Sequence, residues 1–581
     1  MSWIFGAINA NDCLKKLNES TKNNITYSTN ELPISVYVGG NLHTCFFDNN
    51  ISTKKGWAVV GLGIIENSSG YKLLDKADWE IILEKDSFNT KDIYGHYVIL
   101  RWNENNLNIY TDVLGLRDIY ISKFHNKIFF STRIDWLAKF IDTTIDFKVF
   151  GSRWMLFNQI SPESVLTNTL RIAGGSSLNI DIKKLEWKQS KNEFIPLNPK
   201  EHSYISVKEF SERLNGIIRV SFNNNSNLSL SLSGGMDSRV LLSFLVKDGR
   251  NNLWDTHTFG NINHPDSIIS DKIAQQLNIT HQKIDREIPS VNDCINELTE
   301  YCSQTIVNNS ASSILQLNNY QLLRNWGNKT IIDGGFGEIW RREFFNRLYL
   351  KGKSSLLRRD YENVLPQLKL HRADIFTDEI NNSMYKGCKE QLENIMEVLP
   401  NIEEFGIENW LDLFAIKTRL LNYYGHEQTR LDSIIKSYMP FIQLPLLNYL
   451  FITPIKLRKN GKLFRELIHN NSNHLSKLWL AKGSTSHPFA LTTIQSRLWN
   501  SLSKKLNVNQ YHDNTSVMFL KYLKEFINDT LQSKNAQESG FYNYKKIEII
   551  LDYFNTNSNT KIYELDWLLS FEVFRKVKFD K

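Results

Sequence analysis

Serine, glycine and aspartate crowd into one short run, Ser231-Leu-Ser-Gly-Gly-Met-Asp-Ser238, and those types at that spacing can hold an anion. Gly234 and Gly235 let backbone N–H groups approach a ligand closely, Ser233 and Ser238 offer hydroxyls, and Asp237 is able to hold a Mg2+ bridging phosphate oxygens. Such groups need a strand to end and a helix to begin at the same place. From Leu228 to Leu232 leucine alternates with serine, the period of a strand with one buried face. Val240, Leu241, Leu242, Phe244, Leu245 and Val246 then read as a buried helix that closes near Gly249. A strand, a tight turn and a helix start make an anion cradle, because the free N–H groups of the first turn and the helix dipole both favour negative charge. The run is neither the Gly-Lys-Ser/Thr loop of phosphoryl-transfer ATPases nor the spaced glycines of dinucleotide folds. A plain glycine turn in an ordinary α/β unit is the competing reading.

Further elements are expected around this turn: a helix at Val207–Val220, a strand at Trp254–Phe259, a helix near Asp266–Leu277 and a strand near Gln282–Ile284. That order predicts a parallel, doubly wound sheet with the turn at the carboxyl end of a strand, where such sheets bind ligands. Lys329-Thr-Ile-Ile332 reads as one more strand, followed by Asp333-Gly-Gly-Phe-Gly-Glu-Ile-Trp340.

The Ser-Gly-Gly-Met-Asp-Ser run resembles the pyrophosphate loop of enzymes that split ATP between its α and β phosphates, and nearly the whole chain resembles the asparagine synthetase family. In that family His257-Thr-Phe-Gly260 would flank the adenine and ribose, although Phe259 reads equally well as plain core. The segment from Asp333 resembles a second pyrophosphate loop: Glu338 matches its glutamate, while Gly337 stands in place of a metal-sharing aspartate and Gly334 in place of a glutamate that asparagine synthetases carry. Asp333 or Glu338 is left to supply the missing carboxylate. Lys482, in Leu480-Ala-Lys-Gly-Ser-Thr485, matches the lysine that steadies pyrophosphate and developing charge. The resemblance therefore assigns ATP contacts to Ser231, Ser233, Gly234, Gly235, Asp237, Ser238, Thr258, Phe259, Gly260 and Gly335. It assigns Mg2+ to Asp237 and Glu338, and catalytic roles to Lys482, Glu338 and Asp237. Arg430-Leu-Asp-Ser433 and Tyr438-Met-Pro-Phe441 resemble a further family segment, with Gln443 in place of its last aspartate and Pro440 and Phe441 as packing residues.

Residues 1–190 alternate short strand-like runs with turns. Their start, Met-Ser-Trp-Ile-Phe-Gly, resembles glutamine amidotransferases, which have cysteine where this chain has Ser2 and glycine where it has Trp3. Gly61-Leu-Gly-Ile-Ile-Glu66 lacks the asparagine of the glutamine-holding motif. Tyr94–Trp102, Thr111–Tyr120 and Phe129–Thr132 keep the family's strand and Asp-x-x-Gly turn pattern, which builds the sheets and does no chemistry. A domain that has kept its sheets and lost its glutaminase is expected. A polar stretch from Lys183 to Ser206, with Pro196 and Pro199, reads as linker, placed at residues 191–206, and residues 207–581 as the second domain.

The chain of 581 residues is too long for one core, and a net charge of +7 is mild at that length, so nucleic acid is not an expected partner. Lys456, Arg458, Lys459, Lys462 and Arg465 read as a solvated helix face. Five scattered cysteines suit buried thiols in a reducing compartment. With no basic-then-apolar leader, and an apolar run at Trp57–Ile65 far short of the roughly 20 residues that span a bilayer, a cytoplasmic protein without a membrane partner is expected. Helices are expected near Val517–Leu531 and Ile547–Phe554.

The resemblance implies an αββα, Ntn-hydrolase-like sandwich joined to an adenine-nucleotide α-hydrolase-like parallel sheet with a helical extension. It implies an ATP- and Mg2+-dependent ligase that adenylates a small-molecule or peptide carboxylate for attack by an amine, releasing AMP and pyrophosphate, with a biosynthetic partner protein. Relatives with a degenerate glutaminase domain, the β-lactam synthetases and lasso-peptide cyclases, take the amine from the substrate itself, and a glutamine-independent lactam or macrolactam cyclase is the first expectation. An amidotransferase on aspartate or a surface sugar acid, fed by free ammonia, is the second, and a nucleotide-binding pseudoenzyme the third.

Overall fold

A computed structural model describes residues 2–10, 25–29, 33–50, 54–68, 70–85, 87–220, 222, 227–250, 252–285, 287–326, 329–481, 484–506 and 514–579. Two antiparallel sheets pack face to face in the first part of the chain. One has six strands with Trp3–Ile8 between Lys127–Ser131 and Ile34–Gly39; the other runs from Glu186–Lys191 to Cys45–Asn50 through the long central strands Tyr94–Trp102 and Lys55–Asn67. The alternation read in the sequence is the reason they meet. Ile4, Val36, Val38, Ile121 and Phe130 point inward from the first sheet against Val60, Val98, Leu100, Ile109 and Leu178 of the second, all of them buried.

Helices cover both outer faces and complete the αββα order. On one side Trp79 and Leu83 of the helix Lys76–Leu83 sit on Val59, Tyr97 and Ile99. That helix starts at a capping box between Asp75 and Asp78. On the other side Trp3, Phe5 and Phe129 share a core with Phe150, Leu298, Phe571 and Phe574, so the final helix, Ile562–Phe579, lies over the first sheet.

The second part is built on a five-stranded parallel sheet in the order His281–Ile284, Trp254–Phe259, Leu228–Ser231, Thr330–Ile332, Lys436–Tyr438. Leu228–Ser231 is central, pairing in parallel with a strand on each side. The helices Val207–Ile218, Pro265–Leu277, Thr515–Tyr522, Lys524–Leu531 and Tyr544–Asn555 lie within three residues of, or break up, the expected stretches.

Two readings of the sequence are corrected. The polar stretch opening at Lys183 contains a strand, Glu186–Lys191, paired with Ser176–Asp181. It is an outermost strand whose side chains are mostly exposed, so neither face needed apolar residues and no alternation marked it. The basic cluster near residue 460 is not one solvated face: Arg458 is fully buried against Asp412 and Asn409, and buried Arg465 donates to the carbonyls of Thr485 and Ser486.

Cys45, Cys294, Cys302 and Cys388 are buried, and burial pushes the Cys302 and Cys388 thiols up to about 12. Cys13 lies outside the described residues. Among the described residues no helix is long and apolar enough to cross a membrane.

Candidate functional site

The central strand ends at Ser231 and the helix Met236–Asp248 begins five residues later, with Gly235 at its N-cap and no side chain capping it. The uncapped first turn keeps its N–H groups for a ligand. Ser233 and Ser238 face each other across the turn with hydroxyl oxygens 3.1 Å apart, and the Gly235 N–H donates to Ser233 Oγ at 3.1 Å. The Ser233 N–H donates to Ser238 Oγ, also at 3.1 Å. The strand end, tight turn and helix start read from the sequence are therefore in place. All three backbone donors of Ser233, Gly234 and Gly235 are engaged within the chain, the Gly234 N–H donating to Asp266 Oδ1 at 2.8 Å. Asp266 is an anion of the chain's own, set by the helix Pro265–Leu277 that follows the neighbouring strand.

The turn opens on a cleft of about 810 Å³ lined by Ser231, Ser233, Thr258, Phe259 and Gly260, with Asp266, Asp285 and Glu287 also lining it. Thr258 sits in that wall with its hydroxyl donating to Ser270 Oγ at 2.7 Å. Phe259 lines the cleft and also packs against the core of Ile284, Leu323 and Ile331. His257 lies behind the wall, fully buried, with Nδ1 2.8 Å from Ser229 Oγ and its pKa pushed down to about 3 by burial.

Asp237 lies on the far side of the turn. Both of its carboxylate oxygens accept from Arg341, from Nε and from NH2, each at 2.8 Å. Burial raises the Asp237 carboxyl to about 6 against the pull of Arg341, and Glu338 adds to the rise. Gly337 and Gly334 press on this aspartate: a Cβ at Gly337 would stand 2.6 Å from Asp237 Cγ, and one at Gly334 would stand 2.8 Å from Asp237 Cβ. Acidic side chains at those two positions would not fit this arrangement. Asp333 turns inward, its Oδ1 accepting from the Gly335 N–H at 2.6 Å, and burial raises its carboxyl to about 6.

The donor set does not fit a divalent cation here. A guanidinium occupies the oxygens that a metal would need, and no three acidic, histidine or cysteine side chains converge among the described residues. Phosphate oxygens do suit the uncapped helix start with its two hydroxyls. Of the residues singled out in the sequence, Ser231, Ser233, Thr258, Phe259 and Gly260 share the cleft, and Gly234, Gly235 and Ser238 adjoin it. Asp237 and Glu338 belong with Arg341, and Gly335 serves Asp333. Lys482 lies outside the described residues, though Ala481 beside it donates its N–H to the Gly234 carbonyl at 2.9 Å.

Ser2 is fully buried, with Oγ 2.6 Å from Thr44 Oγ1 and 3.2 Å from the Asp432 carbonyl oxygen it donates to. The Asp432 carboxylate comes from the second part of the chain and accepts from Arg117, with His96 Nε2 2.8 Å away. Arg117 also donates to the Ser2 carbonyl at 2.8 Å. The Asp-x-x-Gly turn places Arg117: the Asp112 carboxylate accepts from the Leu116 and Arg117 N–H groups at 3.0 and 3.1 Å. Sequence reading missed Asp266, Arg341 and Asp432. Adjacent Arg341 and Arg342 directly after the glycine-rich second loop were the available signal for the second of these.

No protein-family model and no curated protein sequence matches this chain. Among solved structures it is similar to glutamine phosphoribosylpyrophosphate amidotransferase from B. subtilis complexed with ADP and GMP, at 13% identity over 48% of this chain and 90% of that one, TM-score 0.22. It is also similar to NMN synthetase from Francisella tularensis, at 18% identity over 38% of this chain and 94% of that one, TM-score 0.20. A third is glutamine-dependent NAD+ synthetase from Acinetobacter baumannii in complex with ADP, at 16% identity over 35% of this chain and 39% of that one, TM-score 0.16. Scores this low mark overlap of parts, and the site is read from its own residues.

Proposed function

We propose that this chain is an ATP-dependent ligase that adenylates a substrate carboxylate and passes the acyl group to an amine carried by the substrate, closing a lactam or macrolactam without glutamine. The observation that carries the reading is the uncapped helix start beside the Ser233–Ser238 hydroxyl pair, opening from the central parallel strand into the cleft. In this reaction a carboxylate oxygen attacks the α-phosphorus and the α–β bridging bond breaks, so pyrophosphate leaves from the helix start. The amine nitrogen then attacks the acyl carbon, AMP leaves with the carboxylate oxygen, and the amine sheds a proton. Asp285 and Glu287 in the cleft wall suit sugar hydroxyls. Independence from glutamine is supported by the sealed Ser2 pocket.

The test is AMP and pyrophosphate release from ATP with aspartate, carboxyethyl-arginine, a lasso-type core peptide or uronic acids, each with and without ammonium or glutamine. Release with one candidate and no added amine supports ring closure. Release that requires ammonium moves the reading to an amidotransferase, and glutamine-driven release overturns the loss of the glutaminase.

A second reading, nucleotide binding without turnover, is favoured by two specific contacts: Asp266 on the Gly234 N–H and Arg341 on Asp237. ATP binding with no pyrophosphate exchange for any candidate would establish it.

A further inference from the structure

The 18-residue helix Phe489–Leu506 turns an apolar face to solvent. Leu491, Ile494, Leu498 and Leu502 recur at steps of three, four and four, so they form one line along the helix, and Trp499 widens it. All five residues are between 44% and 64% exposed. The helix is held to the body from its other side, where Thr492 is buried and its hydroxyl accepts from Arg465 at 2.7 Å. Trp479, 53% exposed, extends the patch, its ring edge-on to Trp499 with centroids 6.5 Å apart. It is fixed from behind: buried Arg239, on the helix that starts at the Ser233 turn, donates to the carbonyls of Leu478 and Trp479 at 2.5 and 2.6 Å. A continuous row of leucine, isoleucine and tryptophan is costly to leave in water, and a water-facing surface ordinarily carries such residues singly.

The charge of the segment selects what covers this face. From Leu467 to His512 the sequence contains no Asp or Glu, while Lys477, Lys482, Arg497, Lys504 and Lys505 fall within it. With 62 acidic residues in a chain of 581, so long a run without one is unusual. Lys477 is exposed, two residues before Trp479. A second copy of this chain would set two basic, acid-free segments against each other, and like charges repel. An anionic bilayer answers both features: leucine and tryptophan enter the boundary between headgroups and acyl chains, and lysine and arginine meet the lipid phosphates.

We propose that the face formed by Phe489–Leu506 and Trp479 docks the protein on an anionic phospholipid surface, with the helix lying in the plane of the interface. The expectation of no membrane partner rested on leader and spanning segments, and a helix lying flat on a bilayer is a different class. Ala481, two residues after Trp479, donates its N–H to the Gly234 carbonyl, so docking brings the Ser233 turn near the lipid. The inference stands on the exposed face and does not depend on that turn being an ATP site.

The test mixes the full chain with vesicles of phosphatidylcholine, with and without phosphatidylglycerol, and measures bound protein by flotation at low and high salt. Binding to the phosphatidylglycerol vesicles is expected, with little to phosphatidylcholine alone, and it should weaken as salt rises. Leu498→Asp should lower the partition about tenfold by removing buried apolar area, and Lys504→Glu with Lys505→Glu about tenfold by reversing charge. Leu498 is exposed, so Leu498→Asp should keep the parent's melting temperature. If it melts early, the paired lysine variant decides by the same comparison. Absence of vesicle binding, equal binding to both compositions, or binding unchanged in the variants overturns the proposal. Dimers in sedimentation that Leu498→Asp dissolves, or capture of an acidic protein, with vesicles silent, would give the face to a protein and overturn it too.

Discussion

Asp237 and Arg341 meet as a two-pronged ion pair across 104 residues of sequence, with both bonds at 2.8 Å and the carboxylate side chain 19% exposed. The pair joins the first turn of the helix after the anion cradle to the second glycine-rich loop, and it fixes how both can respond to a bound anion.

Replacing Arg341 by glutamine leaves the Asp237 carboxylate beside Glu338 with no cation. A loss of ~2–4 kcal/mol is expected, because an uncompensated charge remains in a mostly buried place. The Asp237 carboxyl already sits near 6, above its ordinary 3.8, and loss of the cation raises it further. A carboxyl raised in the fold takes a proton more readily than in the unfolded chain, so the loss is greatest above pH 6 and shrinks as pH falls. Melting temperatures across pH 5–8 check this, and a pH-independent loss would contradict it.

Asp333→Asn is expected to stabilise the protein. Burial holds this carboxyl near 6 against an ordinary 3.8, while Asn Oδ1 can still accept from the Gly335 N–H. The gain is present above pH 6, where the carboxylate is charged in both states, and fades as pH falls through 6 towards 3.8. Because Asp333 is half-buried, ~1–2 kcal/mol is the expected size. Denaturant midpoints at pH 8 and pH 4 give the comparison.

Asp266→Ala removes the chain's own anion from the Gly234 N–H. If phosphates sit on that turn, ATP should bind about threefold to tenfold more tightly, since one donor is released and one like charge is gone. Weaker binding in calorimetry would instead give Asp266 the task of holding the turn in shape.

Ser2→Cys should not produce glutamine hydrolysis, since the position is fully buried beneath Thr44 and the Asp432 carbonyl. Ammonium release from glutamine should stay at the level of the uncatalysed control. Asp432→Ala is expected to cost ~3–5 kcal/mol by stranding buried Arg117, read from the denaturant midpoint.

Local features were legible in the sequence and distant pairings were not. The strand period at Leu228–Leu232, the two glycines and the apolar helix fixed the turn, because a strand, a tight bend and a helix leave marks within a dozen residues. Arg341 is not visible as the partner of Asp237, because which of many cations folds back onto a carboxylate depends on loop geometry. Asp432 is further still, 315 residues from Arg117, and within the Arg430-Leu-Asp-Ser433 segment nothing marked Arg117 as its partner. The strand Glu186–Lys191 was missed because an outermost strand in water needs no apolar face. Arg458 and Arg465 were misplaced because spacing cannot tell the buried charges in a basic cluster from their solvated neighbours.

Ser2 sits where the two parts of the chain meet. The second part of the chain seats one carboxylate, Asp432, against the antiparallel sheets, and the Asp-x-x-Gly turn holds the arginine that receives it. The sandwich is thereby retained as a rigid mount for the parallel sheet. Cut apart near residue 200, neither half would keep a satisfied surface there: one would expose Arg117 and the other Asp432.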